Sequence, residues 1–199
     1  GKPVVLVISA GSALDLSWAD AHVAAIIDSF YPGARGGKAV AEAIFGDFSP
    51  SGKLPVTFYQ GTENLPEFTD YDMSDRTYRY TDKNVLYPFG YGLHYGTIRY
   101  ENAQISCAQC SVRDAVDVSV DVINESSYTI HESVQAYIQH EEADAYEPGY
   151  QLKGIQTVTL QPKETKRVTI SLKARDFAII TQEGECVVRP GSYRIAIGG

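Results

Sequence analysis

The stretch Val116-Asp-Val-Ser-Val-Asp-Val122 alternates apolar and polar residues without interruption. Successive side chains of a β-strand point to opposite faces, so this period of two predicts a strand with one buried and one exposed face. The same alternation returns, between turn-forming residues, at 133–139, 158–160, 167–172 and 192–197. A series of about seven short strands over about a hundred residues is typical of a β-sandwich of immunoglobulin size.

The chain upstream of this region lacks that alternation. Residues 3–9 form a continuous apolar run rich in β-branched side chains, which is the pattern of a strand buried on both faces. Residues 17–22 fit a short helical turn. A second apolar run at 23–31 has a length that fits either a strand or a helix, and we favour a strand. These elements predict an α/β arrangement for the first part of the chain.

A helix and another strand are expected further along. Residues 38–45 place apolar side chains at helical spacing, and Gly46 follows where a helix commonly ends. A strand is predicted at 54–58, and the order strand, helix, strand predicts a mostly parallel sheet with flanking helices. The expected fold class is therefore α/β followed by all-β. It comprises a partial α/β sandwich over residues 1–95, joined to an immunoglobulin/fibronectin III-like β-sandwich over residues 96–199.

Residues 61–82 combine acidic, polar and aromatic side chains without a sustained period, which predicts a long loop. A long loop within a compact domain is usually either functional or disordered. The aromatic residues inside it and at its borders favour order, namely Tyr59, Phe68, Tyr71, Tyr78, Tyr80 and Tyr87.

The composition excludes several classes of protein. Of the 199 residues, 44% are hydrophobic, which is ordinary globular usage and excludes a mainly disordered chain. The formal net charge of -8 repels phosphate backbones, so nucleic acid is not expected as a partner. No apolar run approaches the roughly 20 residues that a membrane-spanning helix needs, so no membrane is expected either. Gly1 does not open a signal peptide, and both cytoplasmic and secreted locations stay open.

The cysteines and histidines do not predict a metal site. Cys107 and Cys110 form a Cys-x-x-Cys pair and Cys186 stands apart, whereas a structural zinc ion usually takes four ligands. The four histidines lie far from one another in the sequence. A disulfide between Cys107 and Cys110 and three free thiols are the two open interpretations. Neither a metal nor an organic cofactor is expected.

Several motifs together resemble glycoside hydrolase family 3, of the β-xylosidase or β-glucosidase type. In the first part of the chain they are Tyr31-Pro-Gly-Ala-Arg-Gly-Gly37, Phe45-Gly-Asp-Phe-Ser-Pro-Ser-Gly-Lys-Leu-Pro-Val-Thr57, Arg76-Thr-Tyr-Arg-Tyr80 and Leu86-Tyr-Pro-Phe-Gly-Tyr-Gly-Leu-His-Tyr95. Leu152-Lys-Gly-Ile155 and Arg189-Pro-Gly-Ser-Tyr193 resemble motifs of the fibronectin type III-like domain that ends many members. The resemblance covers essentially the whole chain, although His94 replaces the serine usual in its motif.

The resemblance implies a retaining, exo-acting β-glycosidase that releases terminal β-D-xylosyl or β-D-glucosyl residues. Retaining glycosidases use two carboxyl groups roughly 5 Å apart, a nucleophile and a general acid/base. In this family the aspartate nucleophile lies on an N-terminal barrel, and the glutamate acid/base of many members lies upstream of the segment that matches residues 4–8. The resemblance therefore implies no catalytic residue in this chain, which alone would be inactive. It implies as partners a β-linked oligosaccharide or aryl glycoside, acting through the full enzyme, and the N-terminal barrel domain, and it leaves a homodimer open.

The loop supplies the candidate site residues, namely Asp75, Arg76, Tyr78 and Tyr80. Arginine and tyrosine each offer hydrogen-bonding groups and a face for stacking, so these residues could border the substrate cleft or dock onto the barrel. We favour docking over sugar contact. General acid/base chemistry within the loop is the less favoured interpretation, and its candidates would be Glu67, Asp70, Asp72 and Asp75.

Other features have plainer interpretations. Trp18 is expected to pack in the core rather than to bind a sugar. Tyr146 and Tyr150 lie in a loop that could reach towards an active site. The alternative to an enzyme fragment is a non-catalytic scaffold that binds carbohydrate or protein.

Overall fold

The computed structural model describes residues 1–63, 65–81, 85–144 and 147–199. They divide into two compact units, Gly1–Leu93 and His94–Gly199. Among these residues, no helix is both long and apolar enough to cross a membrane.

The first unit contains a small parallel sheet and short helices. Strand β1 (Val5–Ile8) pairs in parallel with β2 (Ala25–Asp28), so that Val5 lies opposite Ala25. The helix α1 (Ser17–His22) connects the two strands, as predicted. The preference for a strand in the second apolar run is confirmed, although the strand is shorter than the run.

The described part of this unit also contains a 3-10 turn (Gly33–Arg35) and the α-helices α2 (Gly36–Phe45) and α3 (Thr77–Tyr80). Helix α2 ends at Gly46, whose φ of 80° lies in the left-handed region, where a side chain is disfavoured. The Gly46 amide donates to the carbonyl of Ala43 at 3.1 Å. The sequence prediction of a helix closed by this glycine is confirmed.

The strand predicted at 54–58 is wrong. The segment makes one isolated antiparallel bridge, between Phe58 and Tyr87. Leu54 exchanges two further backbone hydrogen bonds with the 90–91 region, each 2.8 Å long. Pro55 has no amide hydrogen to donate, and this interrupts any regular ladder. Among the described residues the parallel sheet therefore has two strands, and the larger parallel-sheet sandwich is not seen.

The second unit consists of antiparallel strands. Three long strands form one sheet in the order β3-β4-β7, and three form another in the order β10-β5-β6. A short hairpin, β8-β9, completes the unit. The strands are β3 (Ile98–Ile105), β4 (Val116–Asn124), β5 (Ile130–His140), β6 (Gln151–Leu160), β7 (Thr165–Leu172), β8 (Ile179–Ile180), β9 (Cys186–Val187) and β10 (Tyr193–Gly198).

The inward faces of the two sheets form one hydrophobic core. Its buried members are Val116, Val118, Val120, Val122, Val134, Ala136, Ile138, Leu160, Val168, Ile170 and Leu172. The alternation along β4 places its four valines inward and Asp117, Ser119 and Asp121 outward, as the sequence predicted for residues 116–122. Burial of each such aliphatic side chain contributes roughly 1.5–3 kcal/mol, so this core is the main source of stability in the unit.

The two sheets approach each other closely beside an irregularity in β6. The register between β5 and β6 shifts so that Ala136 faces Gly154 and Tyr137 faces Leu152, which leaves Lys153 as an extra residue. A Cβ atom on Gly154 would lie 2.3 Å from Cγ2 of Ile170 in the opposite sheet. Only glycine fits this close approach, which gives the glycine of this motif a packing reason.

Candidate functional site

Arg76 organises the acidic-aromatic loop of the first unit. Its Nε donates to the carbonyl of Asp72 at 2.9 Å, and its Nη2 donates to the carbonyls of Glu67 at 3.1 Å and Asp70 at 2.5 Å. The planar guanidinium can bond to three carbonyls at once, which a lysine ammonium cannot do with the same geometry. Its described hydrogen bonds go to the loop itself, so Arg76 fixes the path of the backbone.

The carboxylates of the loop act as local hydrogen-bond acceptors. Asp70 Oδ1 accepts the amide of Asp72 at 2.9 Å, and Asp72 Oδ1 accepts the amide of Ser74 at 2.7 Å. The side chain and then the backbone of Ser74 hold the pKa of Asp72 below its usual range. A general acid needs the opposite shift, so the surroundings of Asp72 do not suit it to that role.

The backbone on either side of Arg76 is unusual. Asp75 has a φ of 60° and Thr77 a φ of 59°, in the left-handed region. Aspartate tolerates this region, whereas a β-branched threonine there costs roughly 1–3 kcal/mol. The Thr77 amide donates to the Tyr59 hydroxyl at 2.8 Å. Surrounding contacts thus hold a strained backbone, as is common in functional loops.

The ring of Tyr78 packs against another aromatic ring of the same unit. Its ring stacks on Phe89 with centroids 4.1 Å apart and planes 12° apart. The Arg79 guanidinium carbon lies 5.9 Å from the Tyr78 ring centroid. Tyr78 and Tyr80 are both only half-buried. Stacking on Phe89 uses one face of Tyr78, so its ring is held by the unit itself.

The most exposed aromatic residues of the loop are two that the sequence did not single out as site residues. Phe68 is 95% exposed and Tyr71 is 88% exposed. They flank Asp70, one of the residues whose carbonyl Arg76 holds. The sequence does contain a signal for their exposure. Both aromatic residues lie in a stretch without the periodic apolar pattern that would place them in a core.

Other large apolar side chains of the first unit are also exposed. Trp18 is 70% exposed, so the prediction that it packs in the core is wrong. The short helix α1 offers little surface to cover it, and its indole stacks on His22 with centroids 4.6 Å apart. Tyr31 and Phe45 are each 83% exposed. These three large apolar side chains of the first unit therefore lie outside any core.

A hydrogen bond to a residue distant in the sequence holds another tyrosine of this unit, the half-buried Tyr87. The Tyr87 hydroxyl donates to Asp20 Oδ1 at 2.6 Å, and its ring stacks on Tyr91 with centroids 5.3 Å apart. Burial, and then the hydrogen bond to Asp20, raise the pKa of Tyr87 above its usual range. The hydrogen bond between Tyr87 and Asp20 joins residues 67 positions apart, so no local sequence pattern could predict it.

The second unit holds a buried polar cluster that the sequence did not reveal. Nδ1 of His140 lies 2.9 Å from Glu147 Oε2, and both side chains are buried. Arg189 bonds to Glu147 and, at 3.0 Å, to Asp144. The Tyr193 ring stacks on His140 with centroids 4.8 Å apart. The cluster fastens the connection between β5 and β6, where Tyr150 lies, whereas Tyr146 falls outside the described residues.

A second buried carboxylate, that of Glu132, lies near the start of β5, the strand that ends at His140. Glu132 accepts the Tyr100 hydroxyl at 3.1 Å, and His94 Nε2 lies 3.8 Å from it. Burial and the charge of Glu132 raise the pKa of Tyr100 above its usual range. His94, the residue that departs from the family motif, thus stands beside a buried acid.

The structure decides between the two interpretations of the cysteines. Cys107 and Cys110 form a disulfide, and Cys186 is free and exposed. The described ranges contain no group of three or more histidine, cysteine or acidic side chains placed to hold a metal ion.

Family models match both parts of the chain. Residues 1–95 match the glycosyl hydrolase family 3 C-terminal domain, and residues 132–199 match the fibronectin type III-like domain. The chain belongs to glycoside hydrolase family 3. The resemblance inferred from the motifs is confirmed.

Relatives in this family cover the whole chain. A β-xylosidase of Formosa agariphila is 35% identical over 100% of this chain and 28% of its own length. A periplasmic β-glucosidase of Salmonella typhimurium is 33% identical, with 100% of this chain and 28% of the relative covered. The crystal structure of a Listeria innocua β-glucosidase in complex with isofagomine superimposes with a TM-score of 0.85 at 27% identity, over 100% of this chain and 29% of that one. The chain thus spans only about a quarter to a third of the length of these family 3 proteins.

Proposed function

We propose that this chain is the C-terminal part of a retaining, exo-acting β-glycosidase that releases terminal β-D-xylosyl or β-D-glucosyl residues from oligosaccharides. The observation that carries this proposal is the match of the whole chain to relatives named β-xylosidase and β-glucosidase. The catalytic nucleophile and acid/base are assigned to the remainder of the protein. The proposed domain division is residues 1–95 and 96–199.

The reaction is tested on the full-length protein. We expect hydrolysis of 4-nitrophenyl β-D-xyloside or β-D-glucoside, with the β-anomer of the sugar appearing first in the NMR spectrum, because retention passes through a covalent glycosyl-enzyme intermediate. Comparison of kcat/KM on the two substrates assigns the sugar. Initial release of the α-anomer, or no hydrolysis of either substrate, contradicts the proposal.

For the loop we propose a docking role. Arg76 holds the backbone of residues 67–72, and this presents Phe68 and Tyr71 outward to the catalytic domain of the same protein. Asp75, Tyr78 and Tyr80 then act as positioning residues: Asp75 shapes the turn and Tyr78 packs against Phe89. The support is that the described bonds of Arg76 stay within its own loop while the two neighbouring aromatic side chains are almost fully exposed.

Substitution of Arg76 tests this role in the full-length enzyme. Arg76→Ala removes three hydrogen bonds from a charged donor, and we expect kcat/KM to fall about tenfold or more, which corresponds to about 1.4 kcal/mol. Arg76→Lys should rescue little, because an ammonium cannot bond to the same three carbonyls. Arg175→Ala, at an exposed arginine of the second unit, is the matched control. Unchanged kinetics and unchanged thermal stability in Arg76→Ala would rule out the docking role.

The exposed aromatic pair distinguishes docking from sugar contact. If Phe68 and Tyr71 pack against the catalytic domain, Phe68→Ala should lower the unfolding temperature of the full-length enzyme and leave KM for a small aryl glycoside nearly unchanged. If they contact sugar, the same variant should raise KM without a change in stability. The second result would favour the cleft over docking.

A further inference from the structure

The disulfide of the second unit closes a very short loop. Cys107 and Cys110 are three residues apart, in the connection between β3 and β4, and their Cα atoms are 6.2 Å apart. A bridge over so few residues restricts the unfolded chain much less than a bridge over a long loop does. Its structural effect is therefore mainly local, on the loop that contains it.

The two sulfur atoms have different surroundings. Cys107 is half-buried and packs against the hydrophobic core of the sandwich, whereas Cys110 is exposed. A thiolate can attack only the sulfur that it reaches, and the other sulfur then leaves. The geometry therefore directs attack to Cys110 and makes Cys107 the leaving group.

The loop is anchored on both sides of the bridge. The Ser106 amide donates to the carbonyl of Asp117 at 2.9 Å, and the Asp117 amide donates to Ser106 Oγ at 3.0 Å. On the far side, the Ser111 amide donates to Asp114 Oδ2 at 3.0 Å. These anchors do not depend on the disulfide, so its opening releases the residues between them and leaves β3 and β4 paired.

The bridged residues form part of the wall of a groove. Residues 107–110 line a groove of about 650 Å³ at one end of the sandwich. Phe177 and the segment 189–193 line it as well. Movement of residues 107–110 would therefore change both the shape of this groove and the cover over the core beside Cys107.

We propose that Cys107–Cys110 is a reversible redox site that opens and closes this part of the groove wall. A dithiol is the reductant: its first thiolate attacks Cys110 Sγ, the S–S bond breaks, and Cys107 leaves as a thiolate that takes up a proton. The second thiol of the reagent then displaces Cys110 from the mixed disulfide. The protein gains two thiols, and the dithiol is oxidised to its own disulfide.

The first test measures how readily the bridge is reduced in the folded full-length protein. Both cysteines lie between Arg99 and Arg113, so a single tryptic peptide of residues 100–113 reports on them. Without reductant this peptide should carry no alkyl group after treatment with iodoacetamide, and after dithiothreitol it should carry two. Because Cys110 is exposed, we expect reduction of the folded protein to proceed within about tenfold of the rate in guanidinium. Alkylation without reductant, or reduction slower than this limit, overturns the proposal.

The second test identifies the sulfur that is attacked. Reduced glutathione, followed by alkylation and tandem mass spectrometry, should place glutathione on Cys110 and the alkyl group on Cys107. The reverse pattern contradicts the assignment of the leaving group. The Cys186→Ser variant, used throughout, removes exchange with the free thiol of β9.

The third test asks whether reduction acts locally. Amide hydrogen exchange of residues 107–112 should accelerate about tenfold or more on reduction, while β4 and β7 keep their protection. The Cys107→Ser/Cys110→Ser variant should exchange at the fast rate with or without reductant. Equal exchange before and after reduction overturns the proposal, because the bridge would then control nothing in the groove wall.

Discussion

The two units differ in how they treat their apolar side chains. In His94–Gly199, long antiparallel strands bury their inward residues almost completely, and the buried valines of β4 alternate with outward polar residues. In Gly1–Leu93, Val5 of the parallel strand β1 is 40% exposed and Phe45 of α2 is 83% exposed. Apolar sequence in the second unit thus encodes the unit's own core. In the first unit much of it remains at the surface, as do Phe68 and Tyr71, the loop residues that we propose to dock onto the catalytic domain.

The largest effect is expected from a substitution that leaves a cavity in the core of the second unit. Leu172→Ala removes a completely buried side chain, and we expect a loss of about 3–4 kcal/mol in the free energy of unfolding. Phe45→Ala, the matched change in the first unit, should cost less than about 1 kcal/mol because the ring is exposed. Urea unfolding of the 199-residue chain, followed by circular dichroism, measures both. A larger loss for Phe45→Ala would contradict this difference between the units.

The chain provides a separate probe for each unit in that experiment. Its one tryptophan, Trp18, lies in the first unit, so fluorescence reports on that unit, whereas the β signal comes mainly from the second. Leu172→Ala should shift the dichroism transition more than the fluorescence transition. Equal shifts in both would show that the units unfold together.

The next largest effect is expected from a buried charge. Arg189→Ala leaves the buried carboxylate of Glu147 without its guanidinium partner, and we expect a loss of about 2–3 kcal/mol, reduced because Arg189 itself is partly exposed. Lys38→Ala in α2 breaks an exposed pair with Glu42 and should cost about 0.3 kcal/mol. Similar losses for the two variants, measured by urea unfolding, would mean that burial of the carboxylate has no effect.

A buried amide in the second unit allows a comparison of loop anchors. Asn124 is fully buried, and its Nδ2 donates to the carbonyls of Tyr128 at 2.7 Å and Gln161 at 3.0 Å. Asn124→Ala removes these two hydrogen bonds from a buried site and should cost about 2 kcal/mol. Arg76→Ala in the first unit should cost the isolated chain less, because water can replace its exposed bonds. The opposite ranking in urea unfolding would contradict this account.

The smallest effect is expected from alkaline pH. Tyr87 in the first unit and Tyr100 in the second both have a pKa raised in the folded chain, mainly by burial. A raised folded pKa means that stability is complete below the unfolded value of about 10 and falls as the pH rises above it. Urea midpoints should therefore be flat from about pH 8 to 9.5 and then decline. The decline should be shallower in Tyr100→Phe, and equal slopes would exclude Tyr100 as a contributor.

Much of the second unit could be predicted because its signal is local. The alternation at 116–122 specifies both the strand and its inward face, and the structure confirms both. The strand predicted at 54–58 failed because an apolar run does not reveal which segment lies beside it. Here the neighbour is a proline-containing segment near Tyr87, and a single bridge forms.

The candidate site was only partly accessible to sequence reasoning. The motif pointed to Arg76, but the described acceptors of its hydrogen bonds are backbone carbonyls. Because every residue has a backbone carbonyl, the sequence could not show which ones Arg76 would bind. The pairing of Arg189 with Glu147 joins residues 42 positions apart, and only the folded sheets bring them together. Trp18 was assigned to the core because large apolar residues usually are, whereas the size of the surrounding surface decides the outcome.

Because Lys153 is an extra residue in β6, the strand has one position from which a residue can be deleted without a change of register. Gly154 points inward towards Ile170, whereas Leu152 lies opposite Tyr137. Deletion of Lys153 would therefore restore a regular strand in which both neighbours keep their orientation. Deletion of a single residue between 155 and 159 would instead invert one half of the strand, exposing either Leu160 or the glycine contact. Deletion of Lys153 should thus be tolerated, and deletion of a residue between 155 and 159 should not.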